Sequence, residues 1–139
     1  MTVARTTVGA SASSLAPLQS FLSDVWTAEH LPESDRFPFE LALEEVFMNV
    51  VMHGSEGRTD VWTDVTLEHA ADSVQMTIRD NGNPFDPLTL APPDIGAAMQ
   101  DRPVGGLGVH LIRTLMDEVT YRLEDGCNVL VMRKRLRID

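Results

Sequence analysis

The sequence is poor in lysine, with a single one, Lys134, close to the end of its 139 residues. A Walker A phosphate-binding loop needs a lysine directly after a glycine, and a eukaryotic-type protein kinase needs a lysine on an early strand. With no other lysine in the chain, both classes of ATP-binding protein are excluded.

Cysteine and basic charge are also scarce. The one cysteine, Cys127, cannot form an internal disulfide, and its place in an apolar, strand-like run predicts an inert small hydrophobe. No apolar run reaches transmembrane length, so a cytoplasmic protein is expected. The formal net charge of −10 argues against a nucleic-acid duplex or a membrane surface as the main partner. An anionic ligand chelated by a metal remains compatible with this charge.

What is present predicts one folded domain spanning residues 1–139, since 43% of the residues are hydrophobic and the charged ones are mixed among them. Hydrophobic periodicity predicts an α/β (α+β) two-layer sandwich, with three helices on one face of a mostly antiparallel sheet. The predicted strands are 2–8 (an edge strand), 61–68, 74–79, 118–123 and 128–136, and the predicted helices are 15–30, 40–54 and 105–116.

The helix predicted for residues 40–54 carries two polar side chains within an apolar pattern. Glu45 and Asn49 lie one turn apart on the same face, and four apolar residues cover the other side: Leu43, Val46, Phe47 and Val50. A helix that is apolar nearly all round is expected to be buried, so an interior acid and amide would need partners. A bound ion or ligand is one source of such partners. The alternative is that Glu45 faces solvent and Asn49 caps a neighbouring group.

A second motif begins where the strand 74–79 ends. Its Asn-Gly and Asn-Pro pairs are typical of a tight turn. The functional interpretation places Asp80 at the strand end, where its carboxylate accepts a hydrogen bond from a ligand amine such as that of adenine. Gly82 would then let the ring lie close to the backbone. This segment alone leaves both interpretations open.

Regular structure is predicted to fade between residues 81 and 104, where prolines concentrate, apart from a short helical turn at 95–99. A connection of this length is typical of a functional lid or a disordered segment. Gly105, Gly106 and Gly108 then begin the third helix. They predict either a flexible hinge or a helix start whose N–H groups are open to a phosphate.

Taken in order, these motifs resemble the Bergerat-type ATP-binding fold of the histidine kinase, gyrase and Hsp90 superfamily. The resemblance is closest to the single-domain anti-sigma factor serine/threonine kinases and covers the chain from about Pro38 to its end. The family's motifs are present as Glu45, Asn49 and His53; as Asp80, Gly82, Pro84, Phe85, Asp86 and Pro87; and as the stretches 105–112 and 115–119.

The resemblance implies a role for each motif residue. Asn49 would coordinate a Mg²⁺ ion that bridges the phosphates of ATP, Asp80 would read adenine, and Gly82 would pack beneath it. Glu45 would be the catalytic base that orients and deprotonates the acceptor serine hydroxyl, for which a weak base suffices when the proton moves late. The other implied nucleotide contacts are Pro84, Phe85, Gly105, Gly106, Leu107 and Gly108.

Two further positions are candidates for phosphate contacts. Arg102 is the candidate for the γ-phosphate because the lid has no lysine, although the family does not fix an arginine there. His53 either touches a phosphate or caps and packs at the helix end. The three other histidines, His30, His69 and His110, lack metal-ligand spacing and are predicted to be surface or core residues.

The function implied by the resemblance is that of an anti-sigma regulatory kinase. Such a protein uses Mg-ATP to phosphorylate a serine of an anti-anti-sigma factor with a STAS domain, and it sequesters a sigma factor by partner switching. The family also implies a homodimer.

Three alternatives compete with this interpretation. The first is a module that binds nucleotide or a partner protein without catalysing transfer, against which the intact Glu45 and Asn49 argue. The second is an excised histidine-kinase ATP domain, disfavoured by the short chain and by the Pro-Phe-Asp-Pro turn, which resembles the anti-sigma group. A complete sensor histidine kinase is not expected, because no histidine-bearing dimerisation helix precedes the predicted ATP domain. The third, a partner-switching kinase whose client is not a sigma factor, is not separated from the main interpretation by sequence.

Overall fold

The computed structural model describes residues 1–89 and 106–137, without the side chains of Gly106 and Leu107. Within these ranges the chain forms three α-helices and one five-stranded sheet, as predicted. The elements in chain order are β1 (Thr2–Gly9), α1 (Leu15–Ala28), α2 (Arg36–Asn49), β2 (Trp62–Ala70), β3 (Ser73–Asp80), α3 (Gly106–Leu115), β4 (Glu118–Glu124) and β5 (Cys127–Arg135). None of the helices in the described ranges has the length and apolar character needed to cross a membrane.

The sheet is antiparallel throughout, with strand order β1-β2-β3-β5-β4. The prediction of β1 as an edge strand is therefore confirmed. Strand β3 lies at the centre, and its last residue, Asp80, pairs with Thr63 of β2 on one side and with Asn128 of β5 on the other. The end of the central strand thus carries a carboxylate that two neighbouring strands enclose.

The core lies between the helices and one face of the sheet. Leu18, Leu22 and Trp26 recur at four-residue steps on α1 and are buried, and Trp26 packs against Phe39 of α2 with ring centroids 5.4 Å apart. Alternate strand residues, among them Val65, Met76, Ile78, Leu130 and Met132, close the core from the sheet side. Each large apolar side chain buried in this way contributes roughly 1.5–3 kcal/mol.

Helix α2 differs from its prediction at both ends. It begins at Arg36 rather than residue 40, and its α-helical hydrogen bonding ends at Asn49, where a π-helical turn, Val50–Gly54, follows. In this turn the N–H of Ser55 donates to the carbonyl of Val50 at 2.8 Å, a spacing of five residues. The prediction of one continuous α-helix to Gly54 is therefore wrong in its last turn. The wider turn brings the Gly54 carbonyl to the N–H of Asn83, at 2.8 Å.

The burial predicted for α2 is confirmed on one side only. Leu43, Val46, Phe47 and Val50 are buried, whereas Glu45 and Asn49 are half-buried and Met52 is 51% exposed. Glu45 and Asn49 are thus not interior residues, because their face of the helix is not covered by the sheet. Asn49 borders a cleft, which makes its side chain accessible to a ligand.

Candidate active site

A cleft opens between the C-terminal half of α2, the end of β3 and strands β4 and β5. Its walls are mostly apolar, with a few polar groups, as is usual for small-molecule sites. The described residues that line it are Val46, Asn49, Val50, Gly54, Ile78, Asp80, Asn83, Phe85, Pro87, Tyr121, Asn128 and Leu130. The cleft therefore brings together three residues predicted from the sequence, Asn49, Asp80 and Phe85, that lie far apart in the chain.

Asp80 is the most enclosed charged group of the cleft, with 5% of its surface exposed. Its Oδ1 accepts hydrogen bonds from the N–H of Gly82 at 2.9 Å and from Nδ2 of Asn128 at 3.0 Å. Burial raises the pKa of the carboxyl group, and these two donors, with the charge of Arg58, partly oppose that rise. Within the described ranges no group donates to Oδ2. That oxygen is free to accept an N–H from a ligand, as the sequence prediction requires.

Gly82 allows two segments of the chain, the turn after β3 and the end of α2, to pack closely together. A Cβ at this position would lie 2.8 Å from the carbonyl oxygen of Gly54 and 2.9 Å from Oδ1 of Asp80. The sequence interpretation gave the reason for the glycine as room for a ligand ring. The structure adds that the space beside Gly82 is filled by the π-helical turn, so the glycine docks the strand-end turn onto the end of α2.

The turn after β3 is further held from its outer side. Arg58 donates from Nη1 to the carbonyl of Asn81 at 2.7 Å, and the backbone N–H of Trp62 donates to Oδ1 of Asn81 at 2.7 Å. The tight-turn and ligand-binding interpretations of this motif are therefore compatible. A fixed turn holds Asp80 at the mouth of the cleft.

The side chain of Asn49 is not fully hydrogen-bonded within the described residues. Its Nδ2 is buried, and no described residue offers it a hydrogen-bond partner. The oxygen and the nitrogen of a carboxamide exchange places when the group rotates by 180°, so either atom can occupy this buried position. A buried polar atom without a partner is costly unless a ligand or ion satisfies it. A carboxamide oxygen beside a polyphosphate is a suitable Mg²⁺ ligand, so Asn49 fits the metal role implied for it.

Glu45 lies one helical turn before Asn49 and packs against the first turn of α3. A Cβ placed on Gly108 would overlap the Glu45 carboxyl group, so these two residues are in direct contact. Partial burial raises the pKa of Glu45, and the neighbouring charge of Glu44 raises it further. The carboxylate therefore has a higher proton affinity than an exposed glutamate.

The glycine-rich segment is only partly within the described residues. Helix α3 begins at Gly106, with Leu107 and the buried Gly108 in its first turn. Gly105, Arg102 and the helical turn predicted at 95–99 lie outside the described ranges. The phosphate contacts expected of this helix start accordingly remain predictions.

His53, Pro84 and Phe85 take different positions. His53 is exposed and does not line the cleft, and its carbonyl accepts a hydrogen bond from Nδ2 of Asn83 at 3.5 Å. Pro84 is exposed, whereas Phe85 contributes to the cleft wall. Because the backbone carbonyl of His53, and not its side chain, makes this contact, both interpretations of the side chain remain predictions.

Sequence analysis missed Asn128 and Tyr121, which both line the cleft. Asn128 is 6% exposed and occupies an inward-facing position of β5, in alternation with Leu130 and Met132. A carboxamide at a core position is a signal that could have identified it, because buried polar groups need partners. Tyr121 donates its hydroxyl hydrogen to Oδ1 of Asn128 and offers no comparable signal in the sequence.

Comparison with known proteins identifies a domain family for the chain. A family profile of the histidine kinase-like ATPase domain matches residues 8–134. The chain is 32% identical over 100 residues to the serine-protein kinase RsbW of Listeria monocytogenes, an alignment that covers 68% of this chain and 62% of that protein. It is 30% identical over 111 residues to the serine/threonine-protein kinase BtrW of Bordetella bronchiseptica, covering 80% and 75%, respectively. The aligned part thus spans less than two thirds of the Listeria relative.

A solved structure shares the fold. The crystal structure of the RsbU and RsbW domains of Rv1364c from Mycobacterium tuberculosis superposes with a TM-score of 0.70 at 16% identity, over 100% of this chain and 34% of that one. At this identity the likeness supports the fold alone. The family profile and the BtrW alignment carry the assignment further: the chain belongs to the histidine kinase-like ATPase domain family, among the anti-sigma factor serine/threonine kinases.

Proposed function

We propose that this chain is an ATP-dependent protein serine/threonine kinase of the partner-switching type. The observation that carries the proposal is the placement of two polar side chains in one cleft and of a carboxylate one helical turn away. Asp80 presents an uncommitted carboxylate oxygen, Asn49 has an amide atom without a partner, and Glu45 lies one turn from Asn49 on the same helix. These groups suit, in turn, an adenine amine, a metal-bound polyphosphate and a hydroxyl acceptor.

In this proposal adenine binds against the apolar walls of the cleft. Oδ2 of Asp80 accepts a hydrogen bond from the exocyclic amine, and Val46, Ile78 and Leu130 contact the ring faces and edges. Such a site favours adenine over guanine, because guanine presents an oxygen where adenine presents an amine and two acceptors repel each other. Phe85 covers the ring from the side of the strand-end turn.

The phosphates lie between α2 and the start of α3. Asn49 holds Mg²⁺, whose charge offsets that of the phosphate oxygens when it is bound. Backbone N–H groups of Gly106 and Gly108 face the phosphates, aided by the helix dipole. Arg102 and Gly105 of the preceding segment are proposed to complete the phosphate contacts.

The transfer step uses Glu45 as the base. The serine oxygen of the acceptor attacks the γ-phosphorus, the bond from that phosphorus to the β,γ-bridging oxygen breaks, and ADP leaves. The hydroxyl proton passes to the Glu45 carboxylate. Because partial burial raises the pKa of Glu45, the rate should fall as the pH drops through that raised pKa and the base becomes protonated. Positioning and charge neutralisation supply most of the rate.

The proposed acceptor is a serine of an anti-anti-sigma factor with a STAS domain, and the proposed client is a sigma factor that the kinase sequesters. The names of the RsbW and BtrW relatives support the kinase activity. A homodimer is part of the proposal, as the family resemblance implies. The net charge of −10 favours protein partners over nucleic acid or anionic membrane.

A phosphoryl-transfer assay with labelled Mg-ATP tests this proposal against candidate STAS-domain proteins. Glu45→Ala should still bind ATP but lose transfer, whereas the control Glu44→Ala, which removes the adjacent exposed carboxylate of the same helix, should retain it. Transfer at the wild-type rate by Glu45→Ala would remove the base assignment. ATP binding by the wild type without transfer to any candidate would favour a nucleotide-dependent binding module instead.

A further inference from the structure

Asn128 has more side-chain hydrogen bonds than its place in an apolar strand would suggest. It is 6% exposed, lies on β5 directly opposite Asp80, and alternates with the core residues Leu130 and Met132. An apolar side chain is the usual occupant of such a position. The carboxamide of Asn128 must therefore be explained by the groups that it contacts.

The oxygen of this carboxamide accepts two hydrogen bonds. The backbone N–H of Phe85 donates to Oδ1 of Asn128 at 3.1 Å, and the hydroxyl of Tyr121 donates to the same atom. The backbone N–H of Phe85 can only donate, so the oxygen of the carboxamide must face it, and the Tyr121 hydroxyl then donates to the same oxygen. The orientation of the amide is thereby fixed by its surroundings.

The nitrogen consequently faces Asp80 and the turn that follows it. Nδ2 of Asn128 lies 3.0 Å from Oδ1 of Asp80, 3.1 Å from the carbonyl oxygen of Asn83 and 3.4 Å from that of Gly82. All three are acceptors, and the nitrogen has two hydrogens to share among them. One side chain thus connects the strand-end turn, strand β4 and the carboxylate of the cleft.

We propose that Asn128 is the positioning residue of the base pocket, which binds one oxygen of Asp80 so that the other is presented to the amine of an adenine ring. The inference rests on the proposed nucleotide-binding function and adds to it the residue on which base selectivity depends. Asn128 acts through Asp80. Without its N–H, one donor to Oδ1 would be lost and the carboxylate could turn away from the ligand.

Thr63 provides a matched comparison. It pairs with Asp80 from the other neighbouring strand, is 0% exposed, and its Oγ1 has no hydrogen-bond partner within the described residues. Thr63 and Asn128 therefore flank the same carboxylate at similar depth, but only Asn128 is hydrogen-bonded to it. A substitution at Thr63 reports the effect of disturbing the packing around Asp80.

The first test compares Asn128→Asp with Thr63→Val. The aspartate keeps an oxygen for Phe85 and Tyr121 but replaces the donor that faces Asp80 with an acceptor. Dissociation constants for ATP and inosine triphosphate are measured over a range from about pH 7 to about pH 9.5, because a proton shared between the two adjacent carboxyl groups would restore the lost donor at the lower pH. The inosine base has an oxygen in place of the adenine amine. The ratio of the two dissociation constants therefore measures how strongly the site prefers the amine.

We expect the preference of Asn128→Asp for ATP over inosine triphosphate to fall by about tenfold and that of Thr63→Val to match the wild type. If the role of Asn128 were purely structural, Asn128→Asp would weaken the binding of both nucleotides equally and leave the ratio unchanged. An unchanged ratio in a folded Asn128→Asp protein would therefore overturn the proposal, as would an equal fall in Thr63→Val.

A second measurement does not require the Asn128→Asp variant to fold. The side-chain amide resonances of Asn128 in the wild-type protein are followed by nuclear magnetic resonance on addition of each nucleotide. ATP should shift them more than inosine triphosphate, because only ATP engages Oδ2 of Asp80, and equal shifts would contradict the proposal.

Failure of the wild type to bind either nucleotide would instead refute the proposed function. The amide resonances should still differ between wild type and Asp80→Asn, and identical resonances would refute the positioning contact.

Discussion

Asp80 and Glu45 are carboxylates of the same site, but they are held in different ways. Oδ1 of Asp80 accepts two hydrogen bonds, whereas Glu45 is held by packing against Gly108. Burial is the largest cause of the raised pKa of both groups. A fixed carboxylate suits the recognition of a base, and a less constrained one suits a group that takes up a proton during each turnover.

The residue-scale prediction concerns Asp80→Asn. The asparagine oxygen can still accept from Gly82 and Asn128, but its nitrogen would face the ligand amine with a donor. We expect the preference for ATP over GTP to fall by about tenfold, while the free energy of unfolding at pH 7 rises because a desolvated charge is removed. Nucleotide titration and denaturant unfolding measure the two effects. An unaltered base preference would contradict the assignment of Asp80.

The pH dependence of this stability difference has a definite sign. The folded protein holds the Asp80 proton more tightly than the unfolded chain does, because burial raises the pKa. The cost of burying the charge is therefore present above the folded pKa and disappears as the pH falls below the unfolded value of about 4. The advantage of Asp80→Asn over the wild type should shrink over that range. If the stability advantage of Asp80→Asn grew as the pH fell, folding would not raise the pKa of Asp80.

At the scale of elements, helix α2 and the first turn of α3 are in contact through a glycine. A Cβ on Gly108 would overlap the Glu45 carboxyl group, so Gly108→Ala must displace either the helix or the base. We expect a destabilisation of roughly 1–3 kcal/mol, measured by denaturant unfolding. Gly9→Ala is the control, because a Cβ at Gly9 meets nothing within 4 Å.

A double-mutant cycle shows whether the Glu45 contact is the cause. In the Glu45→Ala background, Gly108→Ala should cost much less, because the overlapping carboxyl group is absent. Strict additivity of the two substitutions would show that Gly108 is required for some other reason, and the contact assigned to Glu45 would be wrong.

The elements were largely predictable from the sequence, and the contacts between them were not. Alternation of apolar residues in β2, β3 and β5 gave the strands, and the three-residue and four-residue spacing gave the helices. The π-helical turn is joined to the turn after β3 by the hydrogen bond from Asn83 to Gly54, a long-range contact that local periodicity does not encode. Asn128 was missed for the same reason, since it joins residues 43 and 48 positions away in the chain.

For the whole molecule, a buried carboxylate ties the C-terminal segment to the start of α2. Asp35 is 0% exposed; its Oδ2 accepts the backbone N–H of Arg137 at 2.7 Å, and its Oδ1 lies 3.7 Å from Nζ of Lys134. Lys134 is therefore an ion-pair partner in this fold. The contact joins the last strand of the sheet to the helix that carries the proposed catalytic base.

Asp35→Ala should accordingly destabilise the fold by about 3 kcal/mol. The substitution leaves a largely buried ammonium group without its counter-charge and a backbone N–H without an acceptor. Asp24→Ala, which removes an exposed carboxylate from α1, is the control and should change the free energy of unfolding by less than about 0.5 kcal/mol. Equal effects of the two variants in denaturant unfolding would show that the buried ion pair does not stabilise the protein.

The central claim is that the cleft binds Mg-ATP, and calorimetric titration of ATP with and without Mg²⁺ tests it most directly. Wild-type protein should bind ATP more tightly when Mg²⁺ is present. Asn49→Ala should remain folded, since no described residue bonds its buried nitrogen, but should lose that Mg²⁺-dependent gain, whereas Asp80→Asn should keep the gain and lose the preference for adenine. The same Mg²⁺-dependent gain in Asn49→Ala and wild type, or no ATP binding by the wild type, would contradict the account.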